Sequence, residues 1–115
     1  NKSPNANGLK EIKSSVIDPL NLNGFKENVL LILNQRDLTM TKKLKDSLQG
    51  KFVIVFSFFE NELTKLADIA FPIPSIAEKF GTYTNFQGKK QAFKKAINPD
   101  KNIKELTEIF QLLKT

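Results

Sequence analysis

Two apolar runs stand out in the first half of the chain. NVLLIL (Asn28–Leu33) is followed directly by the polar residues NQRD, and KFVIVFSFF (Lys51–Phe59) ends at an acidic residue. Continuous apolar runs of this length are typical of strands that are buried on both faces, as in parallel sheets covered by helices. We therefore predict two neighbouring strands here.

The segment between these runs has a helical pattern. LTMTKKLKDSLQG places Leu44 and Leu48 on one side and lysines on the other. Thr39 or Thr41 is suited to cap the start of the helix, and Gly50 to end it. Strand, helix and strand within about thirty residues form a βαβ unit, in which the two strands run parallel.

A short helix and a third strand are predicted after the second run. Asn61 begins a helix that carries Leu63 and Leu66 inward, and DIAF forms a strand that stops at Pro72. SIAEKFG then forms at most two helical turns, which end at Gly81.

The last third of the chain predicts extended backbone and then a longer helix. Residues 82–91 are extended, with a turn near Gly88. In NPDKNIKELTEIFQLLK, Asn98 caps the helix, Pro99 takes its first position and Asp100 opposes the positive end of its dipole. One face of this helix is apolar, through Ile103, Leu106, Ile109, Phe110 and Leu113.

Together these elements predict an α/β fold. We expect a three-layer, Rossmann-like domain with a short, mostly parallel sheet and a C-terminal amphipathic helix. This domain occupies residues 28–115, and residues 1–27, which are polar and punctuated by Pro and Gly, form a lead-in segment.

Composition narrows the chemistry that this sequence can perform. Its 115 residues suffice for one compact domain, and they include no Cys and no His. Thiol nucleophiles, iron–sulfur ligation, the usual zinc sites and imidazole acid–base catalysis are therefore excluded within this sequence. No membrane span and no signal peptide is visible. Because the chain begins with Asn1 rather than Met, we expect it to be a piece of a longer polypeptide.

The net charge of +6 adds a question about partners. Most lysines alternate with acidic residues, and only GKKQAFKK is locally all positive. This strip contains Lys89, Lys90, Lys94 and Lys95. It is either a solvated face or a contact for an anionic partner, and we do not expect nucleic acid to be that partner.

Candidate binding residues follow the first two strands, because open parallel sheets bind ligands beyond the carboxyl ends of their strands. The residues that follow the first strand lack the glycines of a dinucleotide-binding fingerprint. Arg36, the one arginine, either clamps an anion or pairs with Asp37 or a helix carboxylate. The two sets are Asn34, Gln35, Arg36 and Asp37, and Ser57 to Asn61.

Three further side chains could serve either catalysis or the structure. Asp68 and Glu78 flank the prolines of the FPIP segment and suit acid–base chemistry if buried, or else capping and ion pairing. Tyr83 is either a proton donor or a packed ring. We favour the structural reading of all three, and we assign no catalytic, cofactor-binding or metal residue.

Residues 67–91, ADIAFPIPSIAEKFGTYTNFQGKKQ, resemble the molybdopterin-containing oxidoreductase family. The family pattern is Ala-Asp, an apolar strand, a proline, Ala-Glu-Lys, Gly-Thr, Thr-Asn and a final Glu-Gly-Arg-x-Gln. NVLLIL and KFVIVFS are similar to the two preceding strands, and NANGLKEI to an upstream Asn-x-x-Gly segment. The matching positions are Ala67, Asp68, Pro72, Ala77 to Lys79, Gly81, Thr82, Thr84, Asn85, Gln87, Gly88, Lys89 and Gln91.

Within this family the chain looks most like the C-terminal part of the G subunits of bacterial NADH–quinone oxidoreductase, respiratory complex I. These often lack the β-barrel domain that follows in molybdenum enzymes, and this sequence stops just after Leu113. The resemblance implies a non-catalytic structural domain whose parent passes electrons from NADH to quinone through iron–sulfur clusters held elsewhere. The alternative is a fragment of an active molybdopterin oxidoreductase such as a formate dehydrogenase.

The resemblance also implies partners and a location. The partners are the rest of the same subunit and other subunits of the peripheral arm, on the cytoplasmic face of the bacterial membrane. Two departures argue against a cofactor in this piece. The family's Glu-Gly-Arg is Gln87-Gly88-Lys89 here, which exchanges a forked guanidinium for a point charge. The Trp expected early in the last helix is absent, and Ile103 is the nearest apolar residue.

Overall fold

A computed structural model describes residues 7, 12, 22, 26–34 and 39–114. The described chain forms two compact units: a hairpin unit (Asn1–Val16 and Ser75–Asp100) and a sheet unit (Ile17–Pro74 and Lys101–Thr115). The boundary predicted after residue 27 stays a prediction. The elements are β1 (Val29–Asn34), α1 (Lys42–Leu48), β2 (Phe52–Ser57), α2 (Glu62–Leu66), β3 (Ile69–Pro72), a 3₁₀ turn (Ile76–Glu78), β4 (Gly81–Thr84), β5 (Lys90–Phe93) and α3 (Leu106–Leu113).

The sheet unit is built on a parallel three-stranded sheet. Its strand order is β1-β2-β3, and both neighbouring pairs run parallel, which confirms the α/β fold and the βαβ unit. Asp68 fastens β3 to β2 at the start of their pairing. Its backbone N–H donates to the Val53 carbonyl (2.9 Å), and its carboxylate accepts from the Val53 N–H (2.8 Å).

The two helices that connect the strands begin at predicted cap residues, and α1 ends before the predicted Gly50. Thr41 caps α1 by accepting a hydrogen bond from the Leu44 N–H, and Gly50 follows that helix with a φ of +78°. A positive φ of this size favours glycine, since other residues meet a steric penalty there. Asn61 caps α2 in a reciprocal pair with Thr64, in which each side chain accepts from the other residue's N–H.

Strand β2 lies between two apolar clusters, one on each face of the sheet. Val53 and Val55 pack with Leu48 of α1 and Leu63 of α2. The alternate side chains of β2 point to the opposite face, where the cluster consists of Phe56, Ile73 and Ile109, with Ile54, Phe71 and Leu106 packed against it. Helices on both faces of one sheet form the three layers that the sequence predicts.

Strand β1 differs from its prediction as a strand buried on both faces. Leu30 and Ile32 pack on the cluster shared with α1 and α2. Val29, Leu31 and Leu33 point the other way and are 55%, 57% and 49% exposed. The apolar run was read correctly as a strand, but the described residues cover only one of its faces.

Helix α3 starts eight residues later than Asn98, the predicted cap. A bend at Ala96 and Ile97 and a turn at Lys101 and Asn102 flank Asn98–Asp100, which has no regular structure. The helix begins after Glu105, whose N–H donates to the Glu108 carboxylate at 3.2 Å. Asn and Asp side chains are favoured in turns as well as at helix starts, so this local pattern does not distinguish the two. The apolar face is confirmed in part, because Leu106 and Ile109 pack on the sheet.

The hairpin unit contains an antiparallel ribbon of β4 and β5. Tyr83 stacks on Phe93 with ring centroids 5.0 Å apart, which agrees with its reading as a packed ring. Gly81 does not end a helix as predicted but is the first residue of β4. A Cβ at this position would lie 2.8 Å from the Phe93 ring, so a larger residue there would require the ring to shift. The turn near Gly88 is confirmed, with a φ of +82°.

Two leucines of α2 provide a matched test of the core. Leu63 is 1% exposed, whereas Leu66 is 52% exposed, contrary to its predicted inward position, because this helix ends at that residue. We expect Leu63→Ala to lower the free energy of unfolding by about 2–4 kcal/mol, since it removes buried methyl groups and leaves a cavity. Leu66→Ala should cost less than about 1 kcal/mol. Urea denaturation of both variants checks this, and equal losses would contradict the assignment of the core.

Candidate functional site

The carboxyl edge of the parallel sheet carries two buried polar side chains. Asn34 ends β1 and Ser57 ends β2; the two are register partners and are 2% and 5% exposed. The Asn34 amide lies 3.5 Å from the Ser57 hydroxyl, a long and weak contact. The hydroxyl also donates to the Phe59 carbonyl at 2.8 Å and accepts from the Phe59 N–H at 3.3 Å.

These bonds determine what the edge can do chemically. The Ser57 hydroxyl bonds to the backbone of the turn that follows β2. The backbone carbonyl of Ser57 accepts from the Ile73 N–H at 3.0 Å. Asn61, the last candidate of this set, bonds the Thr64 N–H with its side-chain oxygen and so caps α2. The polar groups therefore hold neighbouring segments of the protein together.

The other predicted residues of this edge lie outside the described chain. Gln35, Arg36 and Asp37 are among them, so the choice between an anion clamp and an ion pair at Arg36 stays a prediction.

The family resemblance suggests a pterin cofactor, but the described residues of this edge do not fit one. Pterin recognition requires donors and acceptors that point outward from the sheet, because small-ligand sites fix orientation with a few convergent polar groups. Here the Asn34 and Ser57 side chains are buried, and Phe58 presents an apolar ring that is 45% exposed. We therefore place no reaction step at this edge.

The two carboxylates next to the proline segment each bind a backbone N–H. Asp68 holds Val53, as described above, and Glu78 accepts from the Ser75 N–H at 2.8 Å. The backbone bond from Ser75, followed by a bond from its side chain, holds the pKa of the Glu78 carboxyl below its ordinary value. The Glu78 contact caps the 3₁₀ turn, whereas Asp68 links two strands instead of capping a helix, and both carboxylates have structural contacts.

The β4–β5 turn carries the altered Gln87-Gly88-Lys89 motif, and Asn85 organises it. The Asn85 side-chain oxygen accepts from the N–H groups of Gln87 (3.0 Å) and Lys89 (2.9 Å), while its backbone N–H donates to the Lys89 carbonyl. The turn presents Phe86, whose side chain is 85% exposed. The backbone groups of this motif are thus used within the turn.

Asn7 contacts this turn, and the sequence did not predict that contact. Its side-chain amide donates to the carbonyls of Asn85 (3.0 Å) and Phe86 (3.2 Å), across a separation of 78 and 79 residues. The one sequence signal for it was the Asn-x-x-Gly resemblance in NANGLKEI, which carries no information about its partner.

The lysine strip lies on the surface of the hairpin unit. Lys89 and Lys90 are exposed at the turn and the start of β5, and Lys94 and Lys95 are exposed after its end. Exposed cations of this kind interact weakly unless a partner excludes water from them. Their surroundings leave both predicted readings open.

A groove of about 350 Å³ lies at the opposite end of the sheet from the candidate edge. It is lined by the ends of α1 and α2 and the starts of β2 and β3, including Leu48, Leu66 and Asp68. Its charged side chains include Asp68, already bonded to Val53, and Lys51, whose ammonium donates to the Glu27 carbonyl at 2.8 Å. Parallel sheets bind ligands at their carboxyl ends, so this groove is not a candidate site.

Neither a metal site nor a membrane span is found within the described ranges. No three or more His, Cys, Asp or Glu side chains there come together as a metal site requires. Of the helices in the same ranges, none combines the length and apolar character needed to cross a membrane.

With this geometry in hand, comparison with known proteins identifies the class. The model of the molybdopterin oxidoreductase family matches residues 5–115, so the chain belongs to the molybdopterin oxidoreductase family. No solved structure matches the chain at a significant level.

Curated relatives place the chain among several kinds of oxidoreductase. It is 38% identical over 68 residues, 59% of this chain, to the alpha chain of the F420-dependent formate dehydrogenase of Methanocaldococcus jannaschii. It is 33% identical over 58 residues, 50% of this chain, to the G subunit of the NADH-quinone oxidoreductase of Streptomyces coelicolor. It is 36% identical over 56 residues, 49% of this chain, to a nitrate reductase of Symbiobacterium thermophilum. The chain spans 10%, 7% and 7% of the lengths of these relatives, respectively.

The Glu78 contact generates a prediction about pH. Its pKa is lower in the folded protein than in the unfolded chain, so its contribution to stability is present above the unfolded pKa and lost as pH falls through the folded pKa. We expect an NMR titration of the Glu78 carboxyl to fall below that of the same protein in concentrated urea, and Ser75→Ala to move it upward. A titration at or above the unfolded value would contradict the contact.

Proposed function

We propose that this chain is a non-catalytic structural domain of a G-type subunit of NADH–quinone oxidoreductase. The observation that carries the proposal is the carboxyl edge of the sheet. Asn34 and Ser57 are buried, and the Ser57 hydroxyl is bonded to the Phe59 backbone. A ligand that bonded to the Ser57 hydroxyl would have to break these internal hydrogen bonds, and leaving such a group unpaired costs about 1–3 kcal/mol. The similarity to the G subunit of an NADH-quinone oxidoreductase supports the same reading.

In this proposal, the domain acts by packing rather than by chemistry. The longer protein passes electrons from NADH to quinone through iron–sulfur clusters. These clusters lie outside this sequence, because its 115 residues contain no Cys to ligate one. Its partners are the rest of its own subunit and other subunits of the peripheral arm, at the cytoplasmic face of the membrane. The lysine strip is suited to an acidic surface on one of these partners.

The hairpin turn is consistent with a site that has lost its ligand. Asn85 and Asn7 together take up backbone groups on both sides of Gln87. Where the family has an acid and a guanidinium, this turn has an amide and an ammonium, which cannot form the same bidentate contact.

A second candidate is a domain of an active molybdopterin oxidoreductase such as a formate dehydrogenase. The observation that favours it is the 38% identity over 68 residues to the alpha chain of a formate dehydrogenase. In that case, polypeptide outside these residues would provide the contacts to the cofactor that the described edge does not.

Metal and pterin analysis of the full-length natural protein separates the two candidates. We expect less than about one tenth of an equivalent of molybdenum or tungsten per chain and no pterin after oxidative extraction, because the Glu-Gly-Arg of the family pattern is Gln87-Gly88-Lys89 here. A characterised formate dehydrogenase carried through the same purification is the positive control. Stoichiometric metal together with pterin would overturn the scaffold proposal and support the second candidate.

A further inference from the structure

One face of the parallel sheet is apolar but only partly covered. The strand register places eight side chains on this face, and all eight are apolar. They are Val29, Leu31, Leu33, Phe52, Ile54, Phe56, Ile69 and Phe71.

Five of these side chains form an adjacent set that remains open to solvent, and we call it the open sheet patch. It contains Leu31 (57% exposed), Val29 (55%), Leu33 (49%), Phe52 (45%) and Ile69 (40%). The remaining three members of the face lie in or against the cluster under α3.

The covered part of the face shows how this surface is normally filled. Helix α3 lies over it through Leu106 and Ile109, and Phe110 lies 5.7 Å from the Phe56 ring. The helix leaves Leu113 64% exposed, although it follows Ile109 by four residues and so shares its side of the helix. Leu31 and Leu33 of the open sheet patch are the register partners of Ile54 and Phe56, so the surface that α3 covers continues into the patch.

The composition of the patch is unlike that of a solvated sheet face. A face that meets water alternates apolar with polar residues along the strand, whereas β1 has VLLILN with no charge and no proline. Exposed edge strands are usually protected by charged residues, proline or a covering element. Within the described ranges, no strand pairs with the outer edge of β1, and its outward side chains are about half exposed.

We propose that an amphipathic helix packs on the open sheet patch beside α3, and that this helix belongs to the same, longer polypeptide. The relatives provide the reason for this choice of occupant, because the chain spans a tenth or less of their length. The inference holds for either candidate function, since both place this domain within a longer polypeptide.

The dimensions of the patch define the helix that fits it. A six-residue strand extends for about 20 Å, and a helix of about 13 residues has the same length. Its contacting side must carry apolar residues at helical spacing and no charge, because a charge pressed onto this patch would lose its water without gaining a partner.

Cysteine protection in the full-length natural protein tests whether the patch is covered. These 115 residues contain no Cys, so a thiol introduced by Leu31→Cys is the one thiol in its stretch of sequence. Leu66→Cys is the matched control, since Leu66 is exposed to a similar degree (52% against 57%) but lies on α2, away from the patch. Alkylation by N-ethylmaleimide is read by mass spectrometry of the peptide that contains each position.

We expect the thiol at position 31 to react about a hundredfold more slowly in the native protein than in urea, because reaction then requires local opening of the covering helix. The thiol at position 66 should react within about tenfold of its rate in urea, as exposed groups do. Native rates at position 31 that match those of the control would show that the patch is bare and overturn the proposal.

A photo-cross-linker identifies the occupant. Phe52→p-benzoylphenylalanine keeps an aromatic ring at a patch position that is 45% exposed. We expect cross-links within one polypeptide, to a segment outside residues 1–115 with an apolar stripe at helical spacing. Cross-links between a heavy-isotope and a light-isotope copy would assign the patch to a dimer, and cross-links to another subunit would assign it to that subunit. Either result would overturn the proposed occupant.

Discussion

The rest of the sheet unit depends on the burial of strand β2 from both sides. Its alternate side chains enter two different apolar clusters, so that Val55 is fully buried beneath α1 and α2 while Phe56 is 2% exposed beneath α3. Hydrogen bonds to β1 and β3 fix the strand in register between them. One six-residue segment thereby joins three helices and two strands. A change in its register by a single residue would exchange the contents of the two clusters.

The features that the sequence predicts well are those set by local chemistry. The structure confirms the caps at Thr41 and Asn61 and the turn at Gly50, because a cap or a positive φ requires only the neighbouring backbone. The predictions that failed concern segments where a turn competes with a helix, or contacts between residues far apart in the sequence. Asn98 and Pro99 carry a good helix start signal, yet the segment turns and Glu105 begins the helix instead. Which apolar positions are covered, as at Leu31 and Leu66, depends on packing that no local pattern records.

The candidate site shows the same division. The sequence located the carboxyl edge, the capping role of Glu78 and the turn at Gly88, and it favoured a structural role for Asp68 without identifying the strand contact. It did not reveal that Asn7 reaches the Asn85 carbonyl or that Ser57 is bound to the Phe59 backbone. Those contacts support a domain whose polar groups serve its own fold. The chain belongs to the molybdopterin oxidoreductase family, and the described polar side chains at the carboxyl edge bond to groups of the same chain.

Native-state hydrogen exchange of the full-length protein tests the central position of β2 most directly. Amides in a strand that both clusters hold should exchange only when the whole sheet unit unfolds, whereas amides of a two-stranded ribbon open locally. The account predicts that the amides of Val53 to Ser57 exchange more slowly than those of β4 and β5. If the hairpin amides outlast those of β2, the sheet unit is not organised around that strand.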